Sequence, residues 1–287
     1  MTFIKKYSNS NSITLKKYEG DGLEVVNKEH AEKLSLSQDN IRIAFLDLET
    51  TGTDINKSEV IEIAIKAISI NKIDGSSLAA INEYESLNEP SIPISEEITK
   101  INGITNEMVA GKRIDWNLVD TLLSECHLVV AHNSYFDRPF MEKYLDKHIP
   151  WACSINDIDW FERGFLNSKL ELLSIWHGFY YDAHRAMNDV DSLINLVTHE
   201  SYIDNMPLIE LIHNARLPYY EAILSFAYNQ DYVEQVKSIG SFRFDSNTKN
   251  WSKIYKSKES ANVELNNLPS DIKIVLKKVT SFFKYKK

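Results

Sequence analysis

Apolar and polar positions along this chain fall into three regimes. Over residues 41–48 apolar side chains occupy both parities, and a second such run, rich in β-branched residues, spans 60–70. Strands apolar on both sides belong in the middle of a sheet that is covered on both faces. Residues 78–87 alternate and read as a third strand, and Asn71-Lys72-Ile73-Asp74-Gly75 before them reads as a hairpin turn. The period then becomes helical. Helices are expected at 95–101, 115–125, 134–147, 157–165, 169–177 and 185–198, with short strands at 127–131 and 151–155. Three strands followed by alternating helices and strands predict an α/β fold, a mixed β-sheet flanked by helices.

The two ends of the chain are patterned differently. Residues 1–38 are polar and rich in Asn, Ser and Lys, and they read as an N-terminal arm with one short helix at 28–34. The ordered domain is expected over 39–202. Residues 203–287 read as a small α+β C-terminal module, helix-hairpin-helix-like in order. Its expected parts are helices at 206–215 and 219–232, a strand–turn–strand hairpin over 241–255, and a tail helix at 270–283.

Composition narrows the function classes. The formal net charge of −9 over 287 residues argues against a nonspecific DNA coater that works by bulk charge. It leaves room for an acidic catalytic site with local basic patches. Lys273, Lys277, Lys278, Lys284, Lys286 and Lys287 form such a patch, which suits phosphate contact and a solvated helix face equally well. No apolar run approaches the roughly 20 residues of a membrane helix, and no apolar segment follows the N-terminal lysines as a secretory signal requires. Cys126 and Cys153 lack metal-type spacing and read as reduced thiols. Together these features predict a cytoplasmic protein.

Three segments carry chemistry: Leu46-Asp47-Leu48-Glu49-Thr50-Thr51-Gly52, His132-Asn133-Ser134-Tyr135-Phe136-Asp137, and His184-Arg185-Ala186-Met187-Asn188-Asp189. Asp47 and Glu49 lie at the end of a buried strand and share a face, because strand side chains alternate. Acids in such a place must be paired or must coordinate a cation. Asp137 falls in the first turn of an expected helix. Five residues along a helix turn it by roughly 140°, so His184 is placed on the loop before the helix that carries Asp189. Four carboxylates suit hard divalent cations such as Mg²⁺ or Mn²⁺. Two such ions about 3.5–4 Å apart activate a water and stabilise both oxygens of a phosphodiester exchange. A histidine beside them can take the proton of that water. Each segment alone is common in structural roles; the three in order are far more specific.

These segments resemble the three motifs of the DEDDh exonucleases, whose fold is ribonuclease H-like. The resemblance runs from about residue 41 to 200. It implies Asp47, Glu49, Asp137 and Asp189 as ligands of two metal ions and His184 as general base. It implies a 3′→5′ exonuclease acting on single-stranded 3′ ends, with Leu48, Thr50 and Thr51 at the terminal nucleotide; Asn133 is a further candidate substrate contact, and Phe136 suits stacking on a base. Phe136 has a second reading, as core behind Asp137. Ile101-Asn102-Gly103-Ile104-Thr105 is similar to the family's His-Gly-Ile-Thr segment, with Asn102 in the place of histidine.

DNA is the favoured substrate because the first segment is closest to the type found in polymerase proofreading subunits. RNA is the alternative. A non-catalytic nucleic-acid-binding adaptor would lack one or more of the five key residues, and all five are present. Asp182 and Asp191, which do not fit the spacing, read as surface caps, and His132 as a residue that orders its loop. The hairpin residues Phe242, Arg243, Phe244, Lys249, Trp251, Lys253 and Tyr255 interleave aromatics with cations. They suit either a nucleic-acid grip or docking on neighbouring helices. The C-terminal module is also the candidate surface for a protein partner.

Overall fold

A computed structural model describes residues 3–145, 149–240, 242–246 and 248–286. They divide into two units. The first comprises the chain up to Ala215 together with the C-terminal end from Tyr285, and the second is Arg216–Lys284.

The first unit contains, in order, β1 (Lys16–Lys17), α1 (Lys28–Ser35), β2 (Asn40–Thr50), β3 (Val60–Asn71), β4 (Ala79–Leu87), α2 (Glu96–Asn102), α3 (Asn106–Val109), α4 (Trp116–Ser124), β5 (Leu128–Ala131), α5 (Ser134–Met141), β6 (Trp151–Cys153), α6 (Leu170–Trp176), β7 (Phe179–Tyr180), α7 (Ala186–Val197) and α8 (Pro207–Arg216). Its main sheet has the order β4-β3-β2-β5-β6. β2, β3 and β4 are antiparallel neighbours, whereas β5 joins β2, and β6 joins β5, in parallel. This is the mixed, helix-flanked sheet that the apolar runs predict.

Two apolar clusters cover its faces. Ile41, Ile43 and Phe45 pack with α6, α7 and α8, and Ala44, Leu46 and Leu48 pack with α4 and α5. Burial from both sides explains why the runs show no alternation. Where β2 leaves β3 the register slips between Glu49 and Thr50, so Glu49 faces Glu62 but Thr50 faces Val60. Such bulges re-aim side chains at sheet rims.

Several expectations change. The N-terminal 38 residues are stitched to the domain: the Ile4 N–H donates to the Trp176 carbonyl, β1 pairs with β7, and Leu23 is buried in the core. The helix expected at 134–147 ends at Met141, and Asp146, Lys147 and His148 lie outside the described residues. No helix forms over 157–165. Side chains there take over backbone donors instead, Asp157 accepting the Cys153 N–H and Asp159 that of Glu162.

α8, expected in the C-terminal module, belongs with the first unit because Leu208, Leu211, Ile212 and Ala215 join the cluster around α7. Tyr285 also returns there, buried and donating its hydroxyl to Asp157.

The second unit contains β8 (Tyr219–Ser225), α9 (Gln230–Ile239), β9 (Arg243–Asp245), β10 (Asn250–Tyr255), α10 (Lys258–Leu265) and β11 (Lys273–Val279). It is an antiparallel sheet of order β11-β8-β10-β9 with two helices, not a helix-hairpin-helix. The helix expected at 219–232 is strand β8 followed by α9, which Asn229 caps. Pairing on both edges outweighs the helix propensity of Glu221-Ala222-Ile223-Leu224. The expected tail helix is strand β11, whose Ile274 and Val275 favour a pleated surface.

The hairpin forms as β9–β10, with Ser241 and Asn247 outside the described residues. Of its aromatics, Tyr255, Trp251 and Phe242 pack in the unit's own core, and Lys253 reaches Glu264. Docking therefore accounts for these four residues, while Phe244 is half exposed. Among the described residues no helix is long and apolar enough to cross a membrane.

Candidate active site

Strand parity decides which acids can meet. Asp47 and Glu49 continue the odd-numbered series of β2 that packs towards α7. Asp189, in the first turn of α7, is brought to them. One oxygen from each of Asp47, Glu49 and Asp189 lies within 4.8 Å of the others. Asp137 arrives from α5, which packs on the opposite face, and its carboxylate accepts the Leu48 N–H between the two β2 acids. It is 2% exposed, and its Oδ1 has no hydrogen-bond partner. A buried, unpartnered carboxylate oxygen is costly unless a cation takes it. With the three converging oxygens, this is the donor set of a hard divalent ion.

The electrostatics agree. Burial first, and then repulsion from Asp189, Asp137, Glu49 and Glu62, raises Asp47 well above the ordinary carboxylate range. Burial lifts Glu49 to about 7, although a hydrogen bond from Asn102 pulls the other way. Burial lifts Asp189 to about 6 against the pull of Tyr181 and His184. Asp137 is raised chiefly by burial. Carboxylates crowded in this way hold protons until a cation replaces them.

His184 stands on the loop between β7 and α7, exposed, at φ +65°, with its backbone N–H donating to Asp189 Oδ2 at 2.8 Å. It lies close enough to Glu49 and Asp189 to favour the ionised form of each. His132 shares a 2.7 Å hydrogen bond with Ser154 and orders its loop as expected.

The residues expected at the substrate have visible work in the scaffold. Leu48 is buried and lends its N–H to Asp137. The Thr50 hydroxyl donates to the Gly52 carbonyl at 2.7 Å, and the Thr51 hydroxyl accepts the Glu59 N–H at 3.0 Å, so both shape the turn that closes β2. The side chain of Asn133 is exposed at the start of α5, and its carbonyl accepts the Phe136 N–H at 2.7 Å. Phe136 packs on Phe140, ring centroids 5.1 Å apart, which supports its core reading.

Three further side chains complete the site. Asn102, in the histidine position of the resemblance, is buried and donates to Glu49 Oε2 at 3.1 Å while accepting the Ile104 N–H. The Tyr181 hydroxyl donates to Asp189 Oδ1 at 2.9 Å. Glu62, fully buried on β3, is bound by Arg185 and by the Ala186 N–H. Glu62 carried a signal, since it breaks an apolar strand that is covered on both faces, where an acid demands a partner. Asp191 is no surface cap. It pairs at 2.7 Å with buried Lys66, which also lies 3.4 Å from Glu83. Asp182 is exposed and pairs with Lys17 at 2.9 Å.

Residues 44–197, just over half of the chain, match the profile of the RNase_T exonuclease family. Over 153 residues the chain is 31% identical to the DNA polymerase III epsilon subunit of Aquifex aeolicus, covering 50% of this chain and 72% of that one. It is 33% identical over 134 residues to the PolC-type DNA polymerase III of Thermotoga petrophila, covering 46% of this chain but only 9% of that far longer protein. Exonuclease X solved with 5′-overhanging duplex DNA is 23% identical, with a TM-score of 0.41 over 58% of this chain and 99% of that one.

Proposed function

The chain belongs to the RNase_T exonuclease family, and on that premise we propose that it is a 3′→5′ exonuclease. It removes nucleotides from the 3′ end of a single DNA strand and releases nucleoside 5′-monophosphates. One observation carries this reading: carboxylate oxygens of Asp47, Glu49 and Asp189 converge within 4.8 Å beside the unpartnered Oδ1 of buried Asp137. Burying carboxylates so close together is costly unless cations neutralise them. DNA is preferred over RNA because the relatives matched over the catalytic region carry DNA polymerase names.

The site would hold two Mg²⁺ or Mn²⁺ ions through Asp47, Glu49, Asp137 and Asp189, which would activate a water and neutralise charge on the phosphate. The residues of the chain do the rest. Tyr181 and the His184 N–H fix the carboxylate of Asp189 by donating to one oxygen each, and Asn102 fixes that of Glu49 by donating to Oε2. His184, exposed on its loop, takes a proton from the attacking water on an imidazole nitrogen. The water oxygen bonds to phosphorus, the bond from phosphorus to the 3′ oxygen of the preceding nucleotide breaks, and that oxygen leaves to be protonated. The terminal nucleotide departs with its 5′ phosphate.

The second unit contributes affinity for the strand through exposed Lys273, Lys277 and Lys278 on β11 rather than through the hairpin residues Phe242, Trp251 and Tyr255, which pack in its core. A cytoplasmic setting accords with the free Cys126 and Cys153.

The test is digestion of matched 5′-labelled DNA and RNA oligonucleotides with Mg²⁺ or Mn²⁺. A ladder that shortens from the 3′ end of DNA is expected. Faster digestion of RNA would reassign the substrate, and internal cuts or no cuts with either metal would overturn the reading.

A further inference from the structure

Glu62 lies directly across the strand pair from Glu49, with its side chain wholly buried. It adds negative charge to a crowded edge and disfavours ionisation of both Asp47 and Glu49. Its oxygens are nevertheless occupied. Oε1 accepts from Arg185 Nε at 3.1 Å and Nη2 at 2.8 Å, and Oε2 accepts the Ala186 N–H at 2.9 Å. Glu85 stands 3.9 Å from the same guanidinium as a more distant partner. Glu62 is thus tied to the start of α7, and it is not among the acids whose oxygens converge within 4.8 Å.

Both of its partners follow His184 immediately. His184 adopts φ +65°, a left-handed conformation that side-chain-bearing residues keep only where the surroundings impose it. On one side its own N–H is held by Asp189. On the other, residues 185 and 186 are tied to the central sheet through Glu62. The strained residue is thus gripped from both flanks, and one of the grips reaches β3, the strand paired with β2.

We propose that the Glu62–Arg185 pair is a positioning device that aims the His184 imidazole at the carboxylate cluster. This rests on the reading of His184 as the proton acceptor. A residue that merely anchors the start of α7 would change melting temperature and leave the rate of the folded protein alone. A positioning residue acts through His184, and its effect disappears when the imidazole is absent.

The experiment is a double-mutant cycle on the full chain, using single-turnover digestion of a 5′-labelled DNA oligonucleotide at saturating Mg²⁺, with folding checked by near-ultraviolet circular dichroism. Arg185→Ala is expected to lower the rate roughly 10–100-fold, the usual reach of a residue that orients a functional group, with KM changed less than about threefold. In a His184→Ala background the same substitution is expected to have no further effect. Arg185→Lys should restore part of the loss, since it keeps the charge but not the two-pronged geometry.

If Arg185→Ala fails to fold, Arg185→Lys and Glu62→Gln serve in the same cycle. An unchanged rate for the folded Arg185 or Glu62 variants, or equal losses with and without His184, overturns the positioning role alone. A near-wild-type rate for His184→Ala overturns the role of His184 and this proposal with it.

Discussion

The two units of this protein treat charge in opposite ways. Residues 216–284 hold eleven Lys and Arg against seven Asp and Glu, a balance of +4; since the whole chain stands at −9, the remainder carries −13. The first unit uses part of that excess at one edge of a sheet buried on both faces, where Asp47, Glu49, Asp137, Asp189 and Glu62 repel one another. The second keeps an antiparallel sheet over a small core, and Lys273, Lys277 and Lys278 on its edge strand β11 remain exposed. An anionic strand would be drawn to the second unit and resisted by the first until cations neutralise its acids. The overall charge of the chain says nothing of this division.

The sharpest way to break the comparison is to remove an acid from the cluster. Asp47→Asn and Glu49→Gln are expected to lower turnover by more than about 100-fold, a few kcal/mol of lost transition-state stabilisation, as measured by gel assay at saturating Mg²⁺. Melting temperature should hold or rise, since the substitution relieves like-charge repulsion. More than about a tenth of the wild-type rate would remove these acids from the mechanism.

His184→Ala should cost roughly 10²–10⁴ in rate, the usual range for general acid–base catalysis, while calorimetric Mn²⁺ affinity stays within about twofold. A large loss of affinity would make His184 a ligand instead.

A third prediction concerns a buried histidine away from the acids. His177 is fully buried between the Leu173 carbonyl and the Tyr202 hydroxyl, and burial lowers it to about 4. Between about pH 6.5 and 4 the unfolded chain binds a proton that the folded one refuses. Stability from this group is therefore complete above pH 6.5 and is lost as the pH falls, on the order of 3 kcal/mol by pH 4. The raised carboxylates of the cluster run the other way, gaining stability as the pH falls. Urea titrations at pH 7 and 4.5 should show a smaller acid loss in His177→Gln than in the wild type. An identical loss in both would remove His177 from the account.

The smallest effect is expected in the second unit. Truncation is the wrong probe, because it would also remove buried Tyr285 from the first. Replacing Lys273, Lys277 and Lys278 together with Ala should instead weaken DNA binding several-fold and flatten its dependence on salt, with the maximal rate on short oligonucleotides preserved. An unchanged salt slope would leave β11 free for a protein partner.

What this sequence determined by itself is what its local periods encode. Doubly apolar runs marked β2 and β3 as central strands, and the parity of β2 put Asp47 and Glu49 on one face. The five-residue step from His184 to Asp189 already required a loop before a helix, which is where His184 lies.

What only the tertiary structure decided depends on contacts between distant segments. Whether residues 219–232 and 270–283 are helix or strand is settled by β8, β10 and β11 pairing with one another, and no local pattern reports that. The partner of Glu62 is Arg185, more than a hundred residues away. One oxygen of Asp137 is left open because α5 delivers it into a space where, among the described residues, no donor reaches it. A sequence states which groups are costly to bury. Only the fold shows which of them it satisfies and which it leaves open for a cation.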